Sequence, residues 1–223
     1  MTEQRTARRP GGRSALVRAK VHQAVEELLT ERGPAELSVP RVAERAGVNP
    51  TSVYRRWRTI EGLISDAAIA RLDLRLPLPD TGSLHGDLTA WASASAADLG
   101  RPEGRLFLLA LVVSLPVTPE GQAERSRYLQ HRLDGVSEIA GRAADRGENP
   151  PDAEVIVDAI MGPLYLRALW GFLPADPGYP RSLVDRLLGV TARDGELDRH
   201  GASRPAPPDG HEITPPTVQA GSA

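Results

Sequence analysis

Between Ser38 and Trp57 two short runs with helical apolar spacing are separated by only three residues, Gly47, Val48 and Asn49. Val39, Val42, Ala43 and Ala46 form one stripe, which fits a single face of a two-turn helix and no strand. Gly47 supplies the left-handed residue that a sharp exit requires. Asn49 is an N-cap, and Pro50 suits the first position of the next helix, where no backbone donor is needed. Upstream, Val17, Val21, Ala24, Val25, Leu28 and Leu29 mark one long amphipathic helix with Ser14 as its expected cap, ended by Gly33 and Pro34. Two short helices joined by a glycine turn and packed on a longer one make a helix-turn-helix arrangement.

The remainder reads as helix throughout. Thr59 caps a helix over about 60–74, which Pro77, Pro79, Asp80 and Gly82 end. Further helices are expected at about 84–99, 103–115, 119–146, 152–172 and 180–193, and no strand pattern is present. The expected fold class is all-α, with a basic arm at 1–13, a three-helix head at 14–58, a helical body at 59–193 and a disordered tail at 194–223. Large apolar residues nearly vanish from that tail while prolines accumulate.

Charge is unevenly placed. The net charge is -2, yet residues 1–58 carry twelve basic and six acidic side chains, a balance of +6 that leaves -8 for the rest. A basic head on an acidic body orients on a polyanion as well as binding it. The absence of cysteine excludes disulfides and thiolate zinc sites and fits a cytoplasmic protein. The longest apolar run, Leu106 to Leu115, is too short to span a bilayer, so no membrane segment is expected.

On a helical wheel with Val53 as the buried reference, Thr51 and Arg55 point away from the core, with Ser52 and Tyr54 on the flanks. That layout suits a helix in a major groove: polar or guanidinium groups toward base edges, hydroxyl and aromatic groups toward the phosphate walls. Trp57 returns to the core and fastens the helix, while Arg56 is better placed for a phosphate. Ser38, at the start of the preceding helix, joins the DNA-binding set, as do Arg8 and Arg9 in the arm.

The run SVPRVAERAGVNPTSVYRRW from Ser38 to Trp57, followed by Thr59, Ile60, Glu61, Gly62 and Leu63, resembles the N-terminal domain of the tetracycline-repressor (TetR) family. Arg101-Pro-Glu-Gly-Arg and Gly162-Pro-Leu-Tyr are similar to one large subgroup of that family. Many relatives carry a phosphate-binding lysine where this chain has Ile60, and Arg58 is the candidate to replace it. The resemblance implies a bacterial regulator that binds double-stranded DNA at a palindromic operator as a homodimer. Its last two helices would form a four-helix bundle with their mates, and its central helices would enclose a cavity for a small-molecule effector. Stripes at Ile156, Ile160, Leu164 and Leu169, and at Leu183, Leu187 and Leu188, fit the bundle, although core packing alone explains them. Gly162-Pro163 inside a helix predicts either a kink or the close approach of a neighbour. Trp91, Phe107, Tyr128, His131, Met161, Tyr165 and Trp170 are the candidate cavity residues, being the large or polar-tipped side chains of the central helices.

An enzyme is the main rival reading. The five histidines are scattered without metal spacing or an adjacent nucleophile, and no glycine-rich phosphate loop follows a strand. No cofactor is expected. His22 and Glu26 share a helix face and read as an i, i+4 pair. A structural helical adaptor, the second rival, has no need of the capped Asn49-Pro50 restart or of the basic arm. Repression by occlusion is expected over activation, because blocking a promoter requires no polymerase contact.

Overall fold

The computed structural model describes residues 11–113, 118–172 and 176–190; Arg8, Arg9 and the expected tail from 194 lie outside them. Within the described residues there are nine α-helices, one 3-10 turn and no strand. The helices are α1 (Gly11–Arg32), α2 (Val39–Ala46), α3 (Pro50–Trp57), α4 (Ile60–Arg75), α5 (Leu84–Gly100), α6 (Pro102–Val113), α7 (Pro119–Asp145), α8 (Ala153–Leu169) and α9 (Gly178–Leu187). The first helix starts three residues before the expected cap at Ser14, and a 3-10 turn over Pro34–Glu36 follows it. The eighth and ninth helices are shorter than the apolar pattern suggested.

Local chemistry sets most boundaries. Gly47 is left-handed (φ 65°, ψ 38°), and its N–H and that of Val48 return to carbonyls of α2. The Asn49 side chain accepts from the Thr51 N–H at 2.8 Å. Thr59, Ser83 and Thr118 cap α4, α5 and α7 in the same way, at 3.1, 3.1 and 3.2 Å. Ser38 stands at the N-cap position of α2 without a side-chain cap bond.

Two apolar cores result. One joins Val21, Val25, Leu28 and Leu29 of α1 to Val42 of α2, Val53 and Trp57 of α3, and Leu63 and Ile64 of α4. The other joins Leu88 and Trp91 of α5 to Ile139 of α7, Ile156, Ile160 and Leu164 of α8, and Val184 of α9. Helix α6 belongs to both, since Phe107, Ala110 and Leu111 enter the first and Leu108 enters the second. No helix among the described residues is long and apolar enough to cross a membrane.

Candidate nucleic-acid interface and effector cavity

Helix α3 has two unlike faces. Val53 and Trp57 are buried, whereas Thr51, Tyr54, Arg55 and Arg56 are exposed and Ser52 is half-buried. Arg58 ends the helix at φ 60°, the one non-glycine residue with positive φ among those described. Its turn is tight enough that a Cβ on Gly62 would lie 2.8 Å from the Trp57 carbonyl oxygen. The exposed arginines of the head are not equivalent. Arg45 is held by Glu27 and Glu31, and Arg41 by Glu36. Arg56 donates to Ser14 Oγ at 2.8 Å and lies over the Trp57 ring. The Arg55 and Arg58 side chains have no hydrogen-bond or ion-pair partner among the described residues, so both guanidinium groups are available to an outside anion. Ser38 is half-buried.

The helix is tied to the rest of the head through Asp66 on α4. Trp57 Nε1 donates to its Oδ2 at 2.7 Å, His22 Nε2 lies 2.9 Å from the same oxygen, and Arg18 bonds both oxygens at 3.2 and 2.9 Å. Burial pushes the Asp66 carboxyl up, but the bonds from His22 and Trp57 and the charge of Arg18 together hold it well below the usual carboxylate range. The expected His22–Glu26 pair does not form. Glu26 instead takes Arg71 and Arg75 of α4, because a long arginine on a packed neighbouring helix reaches it.

In the body, Phe107, Tyr128, Met161 and Tyr165 come together as expected, but around a space of only about 20 Å³, room for about one water. Two arginines account for the filling. Arg71, buried, bridges Glu26 of α1 and Asp98 of α5, the latter at 2.7 Å. Arg132 of α7 is also buried; it donates to Ser95 Oγ at 3.0 Å and to Met161 Sδ at 2.9 Å, and lies 4.9 Å over the Trp91 ring. Tyr128 and Tyr165 join hydroxyls at 3.1 Å, and burial beside Tyr165 raises the Tyr128 phenol well above its ordinary value. A second, larger cavity of about 220 Å³ lies against Leu72, Leu76, Leu78, Trp91, His131 and Arg132. His131 reaches it while pairing with Asp73 at 2.8 Å.

Trp170 lines neither of these two cavities. The eighth helix ends at Leu169, and the indole, one residue beyond, is 66% exposed. The residues that sequence reasoning passed over are Arg71, Asp98 and Arg132. Their signal is positional: Arg71 continues the buried row Ile64, Ala67 and Ala68, and Arg132 begins the row Val136, Ile139 and Ala143. A charge on an apolar stripe has to be paired or to serve a ligand.

The family of tetracyclin repressor-like C-terminal domains matches residues 78–187, and that of bacterial regulatory proteins of the tetR family matches residues 23–67. The chain is 34% identical over 156 residues to the HTH-type transcriptional regulator AqdR of Rhodococcus erythropolis, covering 69% of this chain and 75% of that one. It belongs to the TetR family. The uncharacterized HTH-type transcriptional regulator YdeS of Bacillus subtilis is 31% identical over 172 residues, 76% of this chain and 87% of its own. The solved TetR family regulator SCO0332 superposes with a TM-score of 0.66 at 31% identity, over 79% of this chain and 99% of its own. As a TetR family member the protein is a transcriptional regulator with a helix-turn-helix head, not an enzyme.

Proposed function

We propose that the protein acts in the cytoplasm as a homodimeric repressor, binding an inverted-repeat operator and releasing it when a small molecule occupies the cavity of the body. The observation that carries the reading is the division of α3: a core face anchored by Val53 and Trp57, and an outer face of Thr51, Tyr54 and Arg55 with an uncommitted guanidinium. On this reading Thr51 and Arg55 face base edges, while Ser38, Ser52, Tyr54, Arg56, Arg58 and the arm residues Arg8 and Arg9 serve phosphates or the minor groove.

Dimerisation is supported by α8. Val155, Gly162, Leu166 and Trp170 are exposed at helical spacing, with Phe172 beyond them. Nothing lies within 4 Å of the place a Cβ on Gly162 would occupy, so a second backbone has room to approach there. Symmetric recognition of an inverted repeat requires two heads about one or more helical turns apart, roughly 34 Å per turn, and a two-fold pairing of the chain is the means this reading gives it. The route from ligand to head runs through two arginines: Arg132 lines both the 220 Å³ cavity and the 20 Å³ space, and Arg71, which shares the smaller space, holds α1 through Glu26 and α5 through Asp98. A ligand in the larger cavity that moves Arg132 alters the packing around Arg71 and so the hold on α1, and linkage requires operator DNA to weaken ligand binding by the same factor.

Selection of bound duplexes from a random pool tests the proposal. Enrichment of an inverted repeat supports it; a single unpaired half-site, or no enrichment, refutes it.

A further inference from the structure

Arg132 is 5% exposed, and a guanidinium keeps its charge at every physiological pH. A buried charge is expensive unless a counter-charge meets it. The carboxylates beside the smaller space are committed elsewhere, Glu26 and Asp98 to Arg71. Among the described residues no carboxylate lies within 4.0 Å of Arg132; its acceptors are a hydroxyl and a thioether, both at Nη2, and its buried Nε has no partner. The same residue lines both the 20 Å³ space and the 220 Å³ cavity. Trp91 gives the larger cavity an aromatic wall, and Leu72, Leu76 and Leu78 give it an aliphatic one.

We infer that Arg132 is the anion receptor of the effector cavity, and that the effector class is a small organic acid: a carboxylate, or an equally compact anion, on an apolar body of about two rings. The volume of about 220 Å³ has room for such a body: an enclosed apolar cavity of about 150 Å³ already takes up benzene, and this one is open to solvent on the side of Asp134 and Glu138. The charge follows from the missing counter-charge at a buried guanidinium that lines the cavity, since a carboxylate is the group that a guanidinium binds most strongly. Asp134 and Glu138 also border the cavity, but both are exposed, and Gln130 and Arg142 hold them at 2.8 and 2.7 Å. They stand in solvent, where their repulsion is screened, whereas Arg132 is buried. The inference rests on the cavity being the effector site proposed above.

The test uses the full chain and a matched pair of probes, 1-naphthaleneacetate and its neutral amide, in isothermal titration. The acid is expected to bind about tenfold or more tightly than the amide. Arg132→Met is expected to remove that preference and Arg132→Lys to keep part of it. Leu76→Trp, which fills the cavity and leaves Arg132 in place, is expected to weaken both probes; this variant serves as the check should Arg132→Met fail to fold. Equal binding of acid and amide by the wild type, a preference surviving in Arg132→Met, or undiminished binding by Leu76→Trp overturns the inference. Gel shifts on the selected operator separate the two levels. An acid that binds through Arg132 without releasing operator sinks the effector reading and leaves the anion site standing. Release by the amide alone does the reverse.

Discussion

Trp57 and Asp66 are joined by a 2.7 Å hydrogen bond from the indole to the carboxylate, so the last residue of the recognition helix is bolted to the helix that leads into the body. The same carboxylate carries His22 and Arg18 of α1, making one acid the meeting point of three helices. Replacing Asp66 with Ala is expected to cost about 1.5 to 3 kcal/mol near neutral pH, the range for hydrogen bonds to a charged group. The folded carboxyl is held below its unfolded value, so its contribution is present above roughly pH 4 and is lost as pH falls further, through the folded value. Denaturant unfolding of both proteins at pH 7 and at steps down to pH 2 checks this. A stability difference that stays constant over that range refutes it.

Arg55 and Arg56 are neighbours with different commitments. Arg55→Ala is expected to weaken cognate DNA by about 1 to 3 kcal/mol and to relax preference at one base pair of each half-site. Arg56→Ala is expected to weaken cognate and scrambled duplexes alike and to lower the salt slope by roughly 0.9 for each phosphate no longer neutralised. Titrations at several salt concentrations distinguish them, and an Arg55 variant that loses affinity equally for both sequences disproves the assignment.

The face of α8 around Gly162 is open within one chain. Gly162→Leu and Leu166→Glu are therefore expected to leave helix content unchanged while converting a dimer into a monomer with weak operator binding. Sedimentation equilibrium and circular dichroism report the two properties separately. An undiminished dimer in both variants excludes this face as the interface.

Gly104 lies so close to the end of α5 that a Cβ would collide with the Asp98 carbonyl oxygen and sit 2.8 Å from its carboxylate. Gly104→Ala is expected to cost about 1 to 3 kcal/mol, as overpacking does, and to loosen the Asp98–Arg71 pair. Operator release by a bound acid should then be less complete than in the wild type. Thermal melts and the ligand dependence of DNA affinity measure the two effects, and a variant unchanged in both removes Gly104 from the linkage.

Much of this architecture was legible because it is written locally. Asn49 and Thr59 sit beside the helices they cap, and their bonds span two or three residues. The inward turn of Val53 and Trp57 follows from helical period alone. What stayed hidden depends on neighbours far along the chain. His22 finds Asp66 at a separation of 44 residues and Arg71 finds Glu26 at 45, partners that no local pattern names. Arg132 was hidden for a further reason: a charged side chain is read as solvated unless the apolar row it stands in is counted. Trp170 shows the opposite error, where size and aromaticity suggested burial and the end of α8 left the ring outside.

Helix α6 places Phe107, Ala110 and Leu111 in one core and Leu108 in the other. Neither core can come apart without exposing part of the same helix, so head and body cannot melt one after the other as separate modules. One calorimetric transition is expected rather than two, and the amide protons at the middle of α6 are expected to exchange with solvent only when the whole chain opens.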